Sequence, residues 1–503
     1  MKRFLTLAIL VISLTAILAA GCTSAPASPP ATNGDNHFTR AENEFRNSNL
    51  HAAGQLFKLA QENYTAAGNT AAALKARDRA MTARMMTFDF PYNRSSMDQK
   101  IAAAFPHASA SERAGWLDGN DAVTLTSDGQ VWYLGDTLDN IIFHNMTLMR
   151  NANAAQRYTP FYDELAPLAF AAPVSGARPY RETVAWEGLE LLSVPREELP
   201  ATGTLKIWVP LPVESGPQTN VTIIAVEPAR YVKSMTGTEA DLGLAYLEIP
   251  LEEIKDPFLN VTARFRFVQH REHFTIDPAN VKPYDTGAPE YRKYTAPGNN
   301  IVLTPEIKKK AQEIVGNETN PHLQAQKIYW YIMDTLPYSH APHLLMDATG
   351  TPRSTYVLTT GIGDCGAQSQ YFAALCRSLG IPARVPVGYQ MILGTPGTHV
   401  WAEYYLEGYG WIPVDVTLAE GAEWSYNATA DERYRYKEYF SHSLDPYRYI
   451  IQKDVDVPLT PDAGDAVLLT RNTIQFPNAV CDTCTDNPAI MFAEGWTVTL
   501  TKG

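Results

Sequence analysis

A cysteine, a histidine and an aspartate follow one another in an order suited to acyl chemistry: Cys365, His399 and Asp415. Cys365 comes directly after Gly361-Ile362-Gly363-Asp364. The glycines permit a tight turn, and Asp364 has the side chain of an N-cap, which predicts Cys365 as the first residue of a helix. Phe372, Leu375, Cys376 and Leu379 recur at helical spacing toward a core. Gly380 suits the position after the helix, and Pro382 stops its resumption. A thiol at a helix N-terminus faces the positive end of the macrodipole, so a lowered proton affinity and a thiolate nucleophile are expected.

His399 and Asp415 lie eight residues before and eight after Glu407. The runs His399-Val400-Trp401-Ala402-Glu403-Tyr404 and Gly410-Trp411-Ile412-Pro413-Val414-Asp415 read as the two strands of a hairpin turning at Glu407. That register sets the imidazole opposite the carboxylate. A carboxylate beside an imidazole fixes its tautomer and stabilises its cation. Nucleophile, base and orienter are therefore all present. Each residue alone has a plain structural explanation: a core cysteine, a strand histidine, a turn carboxylate. Their joint spacing favours chemistry.

Trp401 shares a strand face with His399, where it either walls the cleft or packs beneath it. Arg384 and Glu403 read as a structural ion pair, and Cys376 as a core residue. The Cys365 N–H is a natural first oxyanion donor. No glutamine lies between Tyr338 and Cys365 to supply a second, which leaves Tyr338 as the candidate.

The pieces Gly363-Asp364-Cys365-Gly366, Leu375-Cys376-Arg377 with Gly380-Ile381-Pro382-Ala383-Arg384, His399-Val400-Trp401-Ala402-Glu403 and Gly410-Trp411-Ile412-Pro413-Val414-Asp415 resemble the transglutaminase-like core. This is the papain-related thiol fold shared by transglutaminases, peptide N-glycanases and many prokaryotic thiol hydrolases. The resemblance implies an α+β fold in which a helix with an N-terminal cysteine packs on an antiparallel sheet. It also implies a Cys365-His399-Asp415 triad acting on amides. The expected enzyme is a cysteine acyltransferase or a cysteine protease or amidase. No cofactor is implied, and no EF-hand or comparable ligand run suggests calcium.

Around that core the chain of 503 residues has room for several folded units. With 45% hydrophobic and 19% charged residues it is ordinary globular protein. A net charge of −13 argues against nucleic acid as a partner. Lys2 and Arg3 precede an apolar run ending Leu18-Ala19-Ala20-Gly21-Cys22, which has the form of a secretory signal. This ending resembles the lipobox of prokaryotic lipoproteins, with Ala19 where leucine is usual. The resemblance implies lipid on Cys22 and an extracytoplasmic, membrane-anchored chain. Residues 1–22 are read as signal and 23–36 as a flexible tether. Residues 37–90 are read as a helical hairpin resembling one tetratricopeptide repeat, which needs neighbours to bury its face. Residues 91–178 predict a small hairpin and a helix, and 179–277 a β-sandwich-like domain. The catalytic core is assigned to 278–430, and 431–503 to an extension with short strands forming a further small β unit. Cys481 and Cys484 suit a small disulfide loop in an exported protein. The expected partner is a protein or peptide substrate at the cell surface. The alternative is a non-catalytic surface protein that binds a partner through its helical and β regions.

Overall fold

The computed structural model describes residues 32–151, 154–171, 179–424, 428–464, 470–481 and 495–503. The expected signal, Cys22 and tether residues 23–31 lie outside these residues, as does Cys484; the end of the expected tether is instead helical, because Thr32 caps a helix that starts at Asn33.

Helices Asn33–Arg46, Leu50–Ala66 and Thr70–Phe88 form the N-terminal layer, one helix more than the hairpin expected there. Alanines 41, 53, 60, 76 and 80 line their contact, and their small side chains let the axes approach around Phe57. The layer does not stand alone. Thr70–Phe88 packs against helix His343–Thr349, which belongs to the core. Next come helices Arg94–Ala104 and Ala110–Leu117 and the expected hairpin, Thr124–Ser127 with Gln130–Tyr133. Both turn residues of that hairpin, Asp128 and Gly129, have positive φ, the geometry that suits the right-handed strand twist. The expected helix beyond it is two, Thr137–Phe143 and Met146–Asn151.

The β-sandwich has two antiparallel sheets. One runs Ser443–Leu444, Phe258–His273, Tyr180–Pro195, Trp496–Lys502, with Gln218–Glu227 also paired to Phe258–His273. The other runs Asn478–Cys481, Thr204–Leu211, Gly243–Pro250, Val232–Met235. Alternation drives the assembly: Leu259, Val261, Ala263, Phe265 and Phe267 all point inward from one strand. The closing strands therefore do not form a β unit of their own. Asn478–Cys481 and Trp496–Lys502 each extend an edge of the sandwich, covering unpaired backbone.

In the core, helices Pro305–Val315, Pro321–Thr335 and Cys365–Ser378 pack together. Thr304 and Asn320 cap the first two, as their sequences predict. Helix Cys365–Ser378 is buried on every side from Gly366 to Arg377. A helix so enclosed draws its stability from packing; truncating fully buried Phe372 to alanine costs about 3–5 kcal/mol. Two three-stranded sheets flank it. One is Ala383–Arg384, Ala402–Leu406, Gly410–Val414; the other is Gly397–Val400, Val387–Gln390, Arg448–Gln452.

The second sheet joins core to sandwich. In Arg448–Gln452, Tyr449 stacks on Phe265, Phe267 and Tyr389, while its neighbour Arg448 turns the other way, into the core.

Candidate active site

Three local structures deliver the predicted residues. The Gly363 turn positions Cys365. A Cβ on Gly363 would lie 2.9 Å from Val357 Cγ2, so the close approach of this turn to helix Arg353–Thr360 requires glycine. Asp364 caps the next helix by accepting the Ala367 N–H at 2.9 Å. Cys365 is then its first residue, half-buried, with its sulfur facing the main-chain N–H groups of Val400 and Gly366.

His399 and Asp415 meet, but not as a hairpin pair. The ladder between Ala402–Leu406 and Gly410–Val414 ends at Ala402 opposite Val414. At Trp401 the chain leaves that sheet, and Gly397–Val400 pairs with Val387–Gln390 instead. His399 Nε2 reaches Asp415 Oδ2 at 2.7 Å from the neighbouring sheet. Trp401 does share the His399 face: the rings stack 6.1 Å apart at 26°. With Nε2 donating to the carboxylate, Nδ1 is left as the nitrogen that accepts a proton.

Asp415 is fully buried, and it has a second partner that sequence reasoning missed. Arg448 Nη1 lies 2.7 Å from Asp415 Oδ2, and its other donors reach Asp445 Oδ2 at 2.8 and 3.2 Å. The Arg448 guanidinium also covers the Trp401 ring at 4.9 Å. Burial alone would favour a neutral Asp415, but His399 and Arg448 hold its carboxyl well below the usual carboxylate range. Three charged groups and an imidazole share this interior, so each depends on the others. The Asp445-x-x-Arg448 spacing was the only sequence sign, and nothing in it points to Asp415.

The thiol departs from expectation. Burial pushes Cys365 up from the ordinary thiol range, and the Asp364 carboxylate beside it pushes further. The Val400 and Gly366 N–H groups act the other way without prevailing. Desolvation and the cap's own charge therefore oppose the helix terminus at this sulfur. Asp364 is itself paired with His343 Nε2, whose imidazole it raises above the usual value against the effect of burial.

Tyr338, the candidate second donor, packs its ring edge-on against Phe143 and His340 at 5.2 and 5.7 Å. Its N–H donates to Glu420 Oε2 at 2.7 Å. Burial pushes the Glu420 carboxyl up to about 8. Arg384 and Glu403 form the expected buried pair at 2.5 Å, and Cys376 lies in the core. Cys481 ends its strand and is disulfide-bonded.

Among the described residues no helix is long and apolar enough to cross a membrane. Asp136, Asp139 and His340 have side chains close enough together to hold a cation. None of the three belongs to the Cys365-His399-Asp415 group, although His340 lies near enough to act on the Asp364 carboxylate.

Known proteins resemble parts of this chain. An uncharacterized protein of Haemophilus influenzae is 29% identical over 156 residues, which is 26% of this chain and 40% of that relative. A candidate cysteine protease of Cytophaga hutchinsonii superposes with a TM-score of 0.40 at 14% identity, covering 64% of this chain and 92% of that one. A candidate protease of Parabacteroides distasonis gives 0.20 at 12%, covering 48% and 47%. Residues 308–416, which contain Cys365, His399 and Asp415, match the transglutaminase-like superfamily. This chain carries a transglutaminase-like superfamily domain.

Proposed function

We propose that the chain is an exported thiol enzyme that cleaves or transfers amide bonds, with Cys365 as nucleophile, His399 as base and Asp415 as orienter. The observation that carries this reading is the buried His399–Asp415 bond of 2.7 Å, one residue from the Val400 N–H that faces the Cys365 sulfur. Burial and the Asp364 carboxylate favour the neutral thiol, and the proton then moves in concert with attack. His399 Nδ1 takes the thiol proton as Sγ bonds to the amide carbon. The carbonyl oxygen gains the displaced electron pair, and the Cys365 N–H at the helix terminus stabilises it. Collapse expels the amine, which takes the proton from His399, and a thioester remains on Cys365. Water then attacks, giving its proton to His399, and acid and thiol are released. A primary amine in place of water gives acyl transfer.

Water at bulk concentration favours hydrolysis, with a protein or peptide at the cell surface as substrate. Lipid on Cys22 would hold the enzyme to the membrane from outside. The helical layer's packing on the core favours this reading over a partner-binding surface protein, because Thr70–Phe88 is engaged within the chain. The test is mass spectrometry of cell-envelope peptides incubated with the enzyme and a primary amine. Cleavage, or amine incorporation, that depends on Cys365 is expected. Neither product, or equal product from Cys365→Ala, would contradict the reading.

A further inference from the structure

Buried polar side chains of the N-terminal half are spent on one short extended piece of the core, residues 338–340. Asn140, fully buried, brackets His340 as a strand would: its Nδ2 donates to the His340 carbonyl at 3.1 Å, and its Oδ1 accepts the His340 N–H at 2.7 Å. His144 holds the preceding residues. Its Nε2 lies 2.6 Å from Ser339 Oγ and 3.1 Å from the Tyr338 carbonyl oxygen, and its Nδ1 lies 2.7 Å from Asp121 Oδ1. The carboxylate fixes the ring's orientation from behind.

The other edge of the same piece touches the nucleophile's turn. The Ser339 N–H donates to the Gly363 carbonyl at 3.0 Å, and Tyr338 bridges Gly363 in parallel. Gly363 is two residues before Cys365. A continuous set of bonds therefore runs from Asp121 through His144 and Ser339 to the turn that presents the sulfur.

We propose that His144 is a positioning residue for the Cys365 chemistry, so that the N-terminal region is a constitutive part of the active centre. This rests on the thiol-enzyme reading above. Attack on an amide tolerates little displacement: a shift of about 1 Å at the reacting atom costs up to about 100-fold in rate. The 338–340 piece belongs to no regular sheet of the core, and apart from the Tyr338 N–H bond to Glu420 its place against Gly363 depends on what holds its outer edge. His144 and Asn140 hold it, across a sequence separation of about 200 residues.

The experiment is steady-state turnover of a peptidyl aminocoumarin amide by the full chain, with thermal midpoints measured alongside. His144→Ala should lower kcat by about 10- to 100-fold with KM changed less than about twofold. His144→Gln, whose amide reaches the place of Nε2, should recover most of that loss at a similar thermal midpoint. Asp121→Asn keeps the ring and loosens it, and should lower kcat by about threefold. It also serves if His144→Ala does not fold. Unchanged kcat in His144→Ala, or in Asp121→Asn where His144→Ala does not fold, would overturn the proposal. Equal losses in the Ala and Gln variants at equal thermal midpoints would also overturn it. Cys365→Ala is run in parallel. Turnover that survives it removes the thiol-enzyme reading and the clamp with it, whereas Cys365-dependent turnover indifferent to His144 removes the clamp alone.

Discussion

Two imidazoles in this molecule pair with a carboxylate in the neighbourhood of a potential nucleophile. His399 is 2.7 Å from Asp415 and directly precedes Val400, whose N–H faces the Cys365 sulfur; His144 is 2.7 Å from Asp121 and 2.6 Å from Ser339. By the imidazole–carboxylate distance the two are equal. They differ in what surrounds them. Cys365 is half-buried at a helix terminus, where main-chain N–H groups converge. Ser339 is completely buried, and its own N–H is committed to Gly363. The orienters differ as well: Asp415 is buried with an imidazole and a guanidinium as partners, whereas the Asp121 side chain is 40% exposed. The comparison teaches that triad geometry is not by itself a site. Access for a substrate and a frame of donors for the oxyanion make it one.

The comparison breaks most directly at the nucleophiles. Cys365→Ala should reduce turnover by about 1,000-fold or more, whereas Ser339→Ala should stay within about tenfold of wild type, since only positioning is lost. Matching losses would make the two constellations equivalent.

Arg448 sharpens it next. Arg448→Met removes one of the two groups that hold the Asp415 carboxyl low. Asp415 then protonates at higher pH and is lost as orienter sooner on acidification, so the acid limb of the kcat/KM profile should move up. Arg448→Lys, which keeps a charge there, should move it less. An acid limb that stays in place in Arg448→Met would show that Arg448 acts only through packing.

Glu420, behind Tyr338, links the two regions and gives a pH signature in stability. Its folded value of about 8 is above that of an ordinary carboxyl. The folded state therefore binds the extra proton, and this contribution is complete below about pH 4.3 and lost as pH rises through about 8. Thermal midpoints of Glu420→Gln should depend less on pH across that window than those of wild type. Identical profiles would remove Glu420 from the account. The smallest effect expected is at Cys376: Cys376→Ala in the packed core should cost about 1 kcal/mol in denaturant unfolding and leave turnover unchanged.

Local pattern carried much of the core. Helix Cys365–Ser378 was legible from its cap, its apolar spacing and Gly380, and the Arg384–Glu403 pair from residue type and strand position. The His399–Asp415 bond was expected for a reason only partly right, because alternation does not reveal where a strand leaves one sheet for another, as this one does at Trp401. The desolvation that opposes the dipole at the thiol was not legible, because burial is set by the whole fold. Arg448 and His144 were not legible. Arg448 is set by a strand whose far face is packed on the sandwich, and His144 by contacts across about 200 residues, and neither leaves a short-range pattern.

The central claim is that Cys365 carries the acyl group and His399 takes its proton. The direct measurement is peptide mass mapping after brief exposure to a peptidyl nitrophenyl ester and an acid quench. The account predicts the acyl mass on the Cys365 peptide, absent from Cys365→Ala and formed at least about 100-fold more slowly in His399→Ala. Acylation found on Cys376 or Ser339, or formed at the wild-type rate in His399→Ala, would contradict it.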